Sequence, residues 1–134
     1  MQELDGRWHR TGSACTFRPW SVAAVFDELA RCDAVVIPAD PNNPRDAVRS
    51  HNRFTESAWA GRFVIAHPLP SYQALAEFGW VGENLGVGLS AFLADGAEAR
   101  RRILAGQDYI AKHFAPSVIA NAWNEALVAA IEPR

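Results

Sequence analysis

Residues 50–66, SHNRFTESAWAGRFVIA, constrain the fold more than any other stretch of the chain. Residues 52–60 hold neither Pro nor Gly and read as a helix. Ser50 is placed to cap it, because a serine hydroxyl accepts from the free amides of a first turn. Gly61 stands where a helix stops in a left-handed residue. Residues 62–66, RFVIA, are then a short apolar run bounded downstream by Pro68 and Pro70, the pattern of a parallel strand buried on both faces. Ser50, His51, Asn52 and Arg53 gather at the helix start, with Glu56 one turn in. A helix start presents free amides and partial positive charge, so it is a natural site for an anion.

The flanking segments repeat this logic. Residues 14–17 read as a short strand stopped by Pro19, and Ser21 caps a helix with Val22, Val25, Phe26 and Leu29 on one stripe. Residues 34–37, AVVI, read as a second buried strand ended by Pro38; strand, helix, strand implies a right-handed parallel crossover. Two loops, 38–50 and 67–71, each follow the carboxyl end of a strand, where open α/β sheets bind ligands. Ser71 begins a short helix that carries Leu75, Ala76 and Phe78 and ends at Gly79. Residues 80–88 are broken by Gly82, Gly86 and Gly88 and read as a loop with at most a residual strand. A short helix over 89–94, a long one over 97–114 and a last one opened by Pro116 complete the chain. The long helix carries Ala99, Ile103, Gly106 and Ile110 on one stripe; Ile119, Trp123, Ala126 and Ala130 mark the expected buried side of the last. The fold class is therefore α/β, a Rossmann-like parallel sheet of three to four strands with helices on both faces. At 134 residues the length fits a single domain over 1–134.

Composition narrows the function. A net charge of −2 gives no electrostatic case for nucleic acid or an anionic membrane surface. No apolar run reaches the ~18 residues of a membrane span, and no signal peptide is visible, so a cytoplasmic protein is expected. Cys15 and Cys32 lack partner spacing and read as reduced core thiols. His9, His51, His67 and His113 share no metal-ligand spacing, so no metal site is expected. There is no Gly-rich dinucleotide loop and no nucleophile elbow.

The pattern N-R-x-x-E-A/S-x-x-A-G-R/K-x-V-V/I-A over residues 52–66, followed by a Pro-rich loop and another helix, resembles the donor-binding domain of GT-B-type, group-1 nucleotide-sugar glycosyltransferases. The preceding D-x-x-x-x-P strand, Asp33 to Pro38, agrees with that pattern, and the likeness runs from about Cys15 to the end. The resemblance implies transfer of a sugar from a UDP- or GDP-linked donor, a substrate and not a cofactor, to an acceptor. It implies that the helix start, Ser50 to Arg53, faces the diphosphate and that Glu56 holds the ribose hydroxyls. Catalysis would be metal-independent, the leaving diphosphate being stabilised by helix-start amides. Where many members carry a second, sugar-contacting glutamate eight positions upstream, this chain has Val48. An N-terminal acceptor domain and the first strands of the donor domain precede the corresponding part of the family. The chain thus resembles the later part of one domain of a larger enzyme, inactive alone and prone to homo-oligomerise through uncovered surfaces.

Other readings stand beside these. Glu56 can be a solvated helix residue and Arg53 a surface charge instead of a planar fork on a phosphate. His51 and His67 lie at the proposed ligand edge, with solvent exposure as the plainer expectation. Asp40 or Asp46 could replace the missing glutamate. Trp20, Trp80 and Trp123 read as core or interface packing, Trp59 as facing outward, and Arg100, Arg101 and Arg102 as a solvated face. The alternative function is a non-catalytic nucleotide-binding or oligomerisation module of the same half-fold. A phosphoacceptor receiver-like domain fits the length but lacks the acidic pair and the lysine that chemistry needs.

Overall fold

The computed structural model describes residues 18–40 and 42–131. The strand expected over 14–17, and Cys15 with it, lie outside the described residues. The described residues fall into two compact units, divided after Arg31.

In the first unit the described element is helix α1, Val22–Arg31. Ser21 caps it as expected, its Oγ accepting from the Ala24 amide at 3.1 Å. The apolar stripe is not a buried one, however. Leu29 is buried, whereas Val22 and Phe26 are both 61% exposed. Trp20 is exposed too, and Arg18 pairs with Glu28 on the solvent side.

The second unit is built on a three-stranded parallel sheet in the order β1-β2-β3, with β1 at Ala34–Ile37, β2 at Phe63–Ala66 and β3 at Trp80–Val81. The central strand β2 is buried along its whole length. Because side chains alternate across a strand, it feeds two cores. Val64 and Ala66 join Val35, Ile37 and Val81 on one face, against Phe54, Ala58, Tyr72, Leu75, Phe78 and Ile110. Phe63 and Ile65 join Ala34 and Trp80 on the other, against Leu85, Phe92, Ala99 and Ile103. Helices thus cover both faces, which is why the strands are short apolar runs and not alternating ones.

After β1 come a single helical turn, α2, Pro44–Ala47, and then α3, Asn52–Trp59. Helix α3 ends as its sequence predicts. Gly61 takes φ +77°, its amide bonds the Ala58 carbonyl and the Arg62 amide reaches back to Ser57, the paired closure of a left-handed stop. The segment begun near Ser71 is a 3₁₀ helix, Pro70–Phe78, with Leu75 and Phe78 buried. Helix α5, Gly96–Phe114, serves both cores with the predicted stripe: Ala99 and Ile103 on one, Ile110 on the other, and Gly106 against Phe78.

Three expectations need correction. Residues 80–88 are not mainly loop: β3 is followed by helix α4, Leu85–Ala94, which begins four residues before the expected start and contains Gly86 and Gly88. Asn84 starts it, its side chain accepting from the amides of Gly86 and Val87. Gly88 is there because the helix packs onto Trp80; a Cβ would come within 2.6 Å of the indole and 2.7 Å of Ile65. Second, the last helix α6, Pro116–Ile131, has no buried residue, and Trp123 is 66% exposed. Its apolar side is real but has no cover among the described residues. Third, Arg102 is not a solvated face like Arg101. It is half-buried, and its guanidinium donates to the Gly79 carbonyl (2.8 Å) and to Glu98 (2.8 Å).

Candidate functional site

Parallel pairing of β1 with β2, Ile37 opposite Ala66, brings the loops 38–50 and 67–71 to one edge of the sheet. They are tied together there. The Ala39 amide donates to Nδ1 of His67 at 2.9 Å, so His67 is a half-buried loop fastener and not a solvent-exposed histidine. Asp46 is likewise structural. It is buried, accepts from the Asp40 amide (2.8 Å) and pairs with Arg49 (2.6 Å), which leaves it poorly placed to stand in for a sugar-contacting glutamate. Asp40 closes its own turn by accepting from the Asn42 amide at 2.9 Å.

Helix α3 begins at this edge. Ser50 is exposed and does not cap it. The boundary residue is His51, whose side chain makes no capping hydrogen bond. The His51 ring turns instead onto Phe114 of α5, with centroids 4.7 Å apart. The hydroxyls that could compete for the first turn are directed elsewhere: Thr55 bonds the carbonyls of His51 and Asn52, and the buried Ser57 bonds that of Arg53. Asn52 and Arg53 are exposed, and no side chain among the described residues occupies the first-turn amides. The start of α3 is therefore an open donor cluster at the carboxyl edge of a parallel sheet.

Glu56 lies one turn further, exposed, on the flank facing α5 and α6. It lines an open cavity of about 300 Å³ together with Thr55, Trp59, Ile110, Phe114 and Pro116. Ser50, His51, Asn52 and Arg53 thus share one helix start, and Glu56 adjoins a mostly apolar hollow bordered by aromatic rings. His51, against Phe114, links the two areas.

Two groups beside this edge carry no sequence signal. Tyr72 has no exposed surface, and its hydroxyl, like that of neighbouring Ser71, has no hydrogen-bond partner among the described residues. Burial pushes the Tyr72 phenol above its ordinary value; the charges of Arg53 and Arg49 act in the opposite sense, and Asp46 adds to the rise. A tyrosine between two prolines and a leucine reads only as core. Its relation to Arg49 and Arg53 arises when the loop after β2 folds against α3. Comparison with family models, with curated proteins and with solved structures finds no match to the chain, so the functional reading rests on this geometry and on the sequence pattern.

Proposed function

We propose that the chain is the nucleotide-sugar-binding part of a glycosyltransferase, taking a UDP- or GDP-linked donor. The observation that carries the reading is the start of α3: an eight-residue helix with no side-chain cap, opening at the carboxyl edge of the sheet, with Arg53 beside it and Glu56 one turn on. Free amides there suit a diphosphate, and fixed dipoles stabilise negative charge as it develops on a leaving group. Glu56, at the mouth of a cavity bordered by Trp59 and Phe114, suits a ribose whose hydroxyls donate to a carboxylate. Transfer itself would need the acceptor held across a cleft by a second domain, a positioning effect one wall cannot supply.

The test is an NMR titration of the chain with UDP and GDP. Shifts are expected at residues 50–56, and Glu56→Ala should weaken binding by roughly tenfold or more, since a charge-assisted hydrogen bond contributes ~1.5–3 kcal/mol. Unchanged affinity in that variant, or shifts elsewhere, would refute the reading.

One observation favours a second reading, an oligomerisation module. Ile119, Trp123, Leu127 and Ile131 recur at every fourth position of α6 and are all exposed. A charge-poor apolar stripe of that kind is what one helix offers another.

A further inference from the structure

A hollow between helices suits a ligand when it is open, preformed and lined by apolar groups with a few convergent polar ones. The cavity between α3, α5 and the start of α6 has these properties. It holds about 300 Å³, with Trp59, Ile110, Phe114 and Pro116 among its walls. Helix α3 is pinned to α5 at both ends. The His51 ring lies on Phe114 at 4.7 Å, and Gln107 Nε2 donates to the Trp59 carbonyl at 2.9 Å. The space between the pins therefore exists before any ligand arrives. Ile110 belongs to the first core, whereas the Trp59 indole is left 56% exposed.

The oxygen-bearing side chains of the lining are Thr55 and Glu56, and both can accept. Glu56 makes no ion pair among the described residues. The Thr55 hydroxyl points its proton into the helix, toward the carbonyls of Asn52 (3.0 Å) and His51 (3.3 Å), which leaves its lone pairs outward. An occupant must bring donors on one side and an apolar face on the other. An aliphatic chain would leave the carboxylate unanswered, and an anion would be repelled by it. The order of groups along α3 narrows the choice. Asn52, Thr55, Glu56 and Trp59 stand at i, i+3, i+4 and i+7, one stripe about 10 Å long. It offers free amides, then a carboxylate, then an indole face. An extended nucleotide presents phosphate, ribose and base in that order.

We propose that this cavity seats the base of the donor against Trp59, and that it selects purines over pyrimidines without telling adenine from guanine. This rests on the reading of Glu56 as the holder of the ribose and names the base which that reading leaves open. Two fused rings cover more of the indole and of Phe114 than one ring does, and stacking tolerates any base because every base has a π-face. The rest of the lining, Ala111, Ala115 and Pro116, has no side-chain hydrogen-bonding group to read the edge of the base.

The experiment is calorimetric titration with GDP, ADP, UDP and guanosine, on the wild-type chain, Trp59→Leu and Glu56→Ala, with thermal unfolding of each without ligand. Trp59→Leu keeps an apolar side chain at an exposed position and removes the flat face, so its melting temperature stays close to wild type. GDP and ADP bind alike, each about tenfold tighter than UDP, and Trp59→Leu brings both near UDP. UDP binding as tight as GDP binding overturns the proposal, as does a purine preference that survives Trp59→Leu or a strong selection of GDP over ADP. Equal binding of UDP and GDP, weakened for both by Glu56→Ala, removes the purine seat and keeps the nucleotide-sugar reading. Trp59-dependent guanosine binding to which the diphosphate of GDP adds nothing supports the seat and removes the diphosphate reading. No binding of any of the four ligands overturns both.

Discussion

Gly86 and Gly88 lie in the same helix, two residues apart, and alanine at either gains the same intrinsic helix propensity, about 1 kcal/mol. Their surroundings differ. A Cβ on Gly88 would meet Trp80 Cδ2 and Cε3 at 2.6 Å and Ile65 Cγ2 at 2.7 Å. These atoms belong to a ring and a fully buried side chain, neither of which has room to retreat. Overpacking of a filled core costs roughly 1–3 kcal/mol, and three contacts this short put the cost at the upper end. Gly88→Ala is therefore expected to lose about 1–2 kcal/mol net, after the helix gain is counted. At Gly86 the nearest atom is Asn84 Oδ1 at 3.2 Å, a side chain that can give by the few tenths of an ångström needed. Gly86→Ala should be neutral or stabilising by up to about 1 kcal/mol. Urea unfolding followed by tryptophan fluorescence measures both, and the near-ultraviolet circular dichroism of Gly88→Ala should also change, because the indole must shift. Equal stabilities for the two variants would show that α4 does not approach the sheet as closely as described.

Gly61→Ala meets no obstacle, the nearest atom being Gln107 Nε2 at 3.6 Å, but φ there is +77°. A loss of ~1–2 kcal/mol in urea midpoint analysis is expected from the left-handed backbone alone, and no loss would refute the helix stop. Hydrogen bonds from Arg101 and Arg102 hold Glu98 well down, to about 2 against an ordinary 4.5. Since the folded value is the depressed one, the stabilisation is present above 4.5 and lost as pH falls through about 2. Glu98→Gln should flatten the acid limb of a melting-temperature profile across that window; an unchanged limb would count against the pairing. The oligomerisation reading predicts self-association in sedimentation velocity that Trp123→Glu abolishes without changing the melting temperature at low concentration, because the residue is 66% exposed in the chain itself; a wild-type chain that stays monomeric would refute it.

The elements readable in the sequence are those whose punctuation is local. AVVI before Pro38 and FVIA after Gly61 announce themselves as strands because apolar runs between breakers need no knowledge of the partner strand. The Gly61 stop and the Ser21 cap are likewise settled within a few residues. The region from Trp80 to Gly88 was illegible for the opposite reason. Gly88 serves a contact of the helix with the sheet, since a side chain there would collide with Trp80 and Ile65, and no local pattern distinguishes such a glycine from a turn glycine. The same division runs through the candidate site. Ser50, His51, Asn52 and Arg53 stand out by their place at a helix start, and Glu56 by the motif that carries the resemblance. Tyr72 does not, because its meaning depends on which loop folds against α3. The apolar side of α6 was legible as a pattern, but burial depends on a partner surface, and a pattern carries no information about whether one is present.

Helix α6 also has a kinetic consequence. Its sixteen residues include none that is buried, and an isolated helix of that length is marginal in water. Its backbone hydrogen bonds therefore open and close without the rest of the second unit unfolding. Its amides should exchange with deuterium through brief fraying, orders of magnitude sooner than those of β2, whose exchange awaits global opening. Residues 116–131 are expected to open as a cooperative unit of their own, and whatever settles on their apolar side should slow their exchange selectively. Proton exchange on this one segment is thus a direct gauge of occupancy.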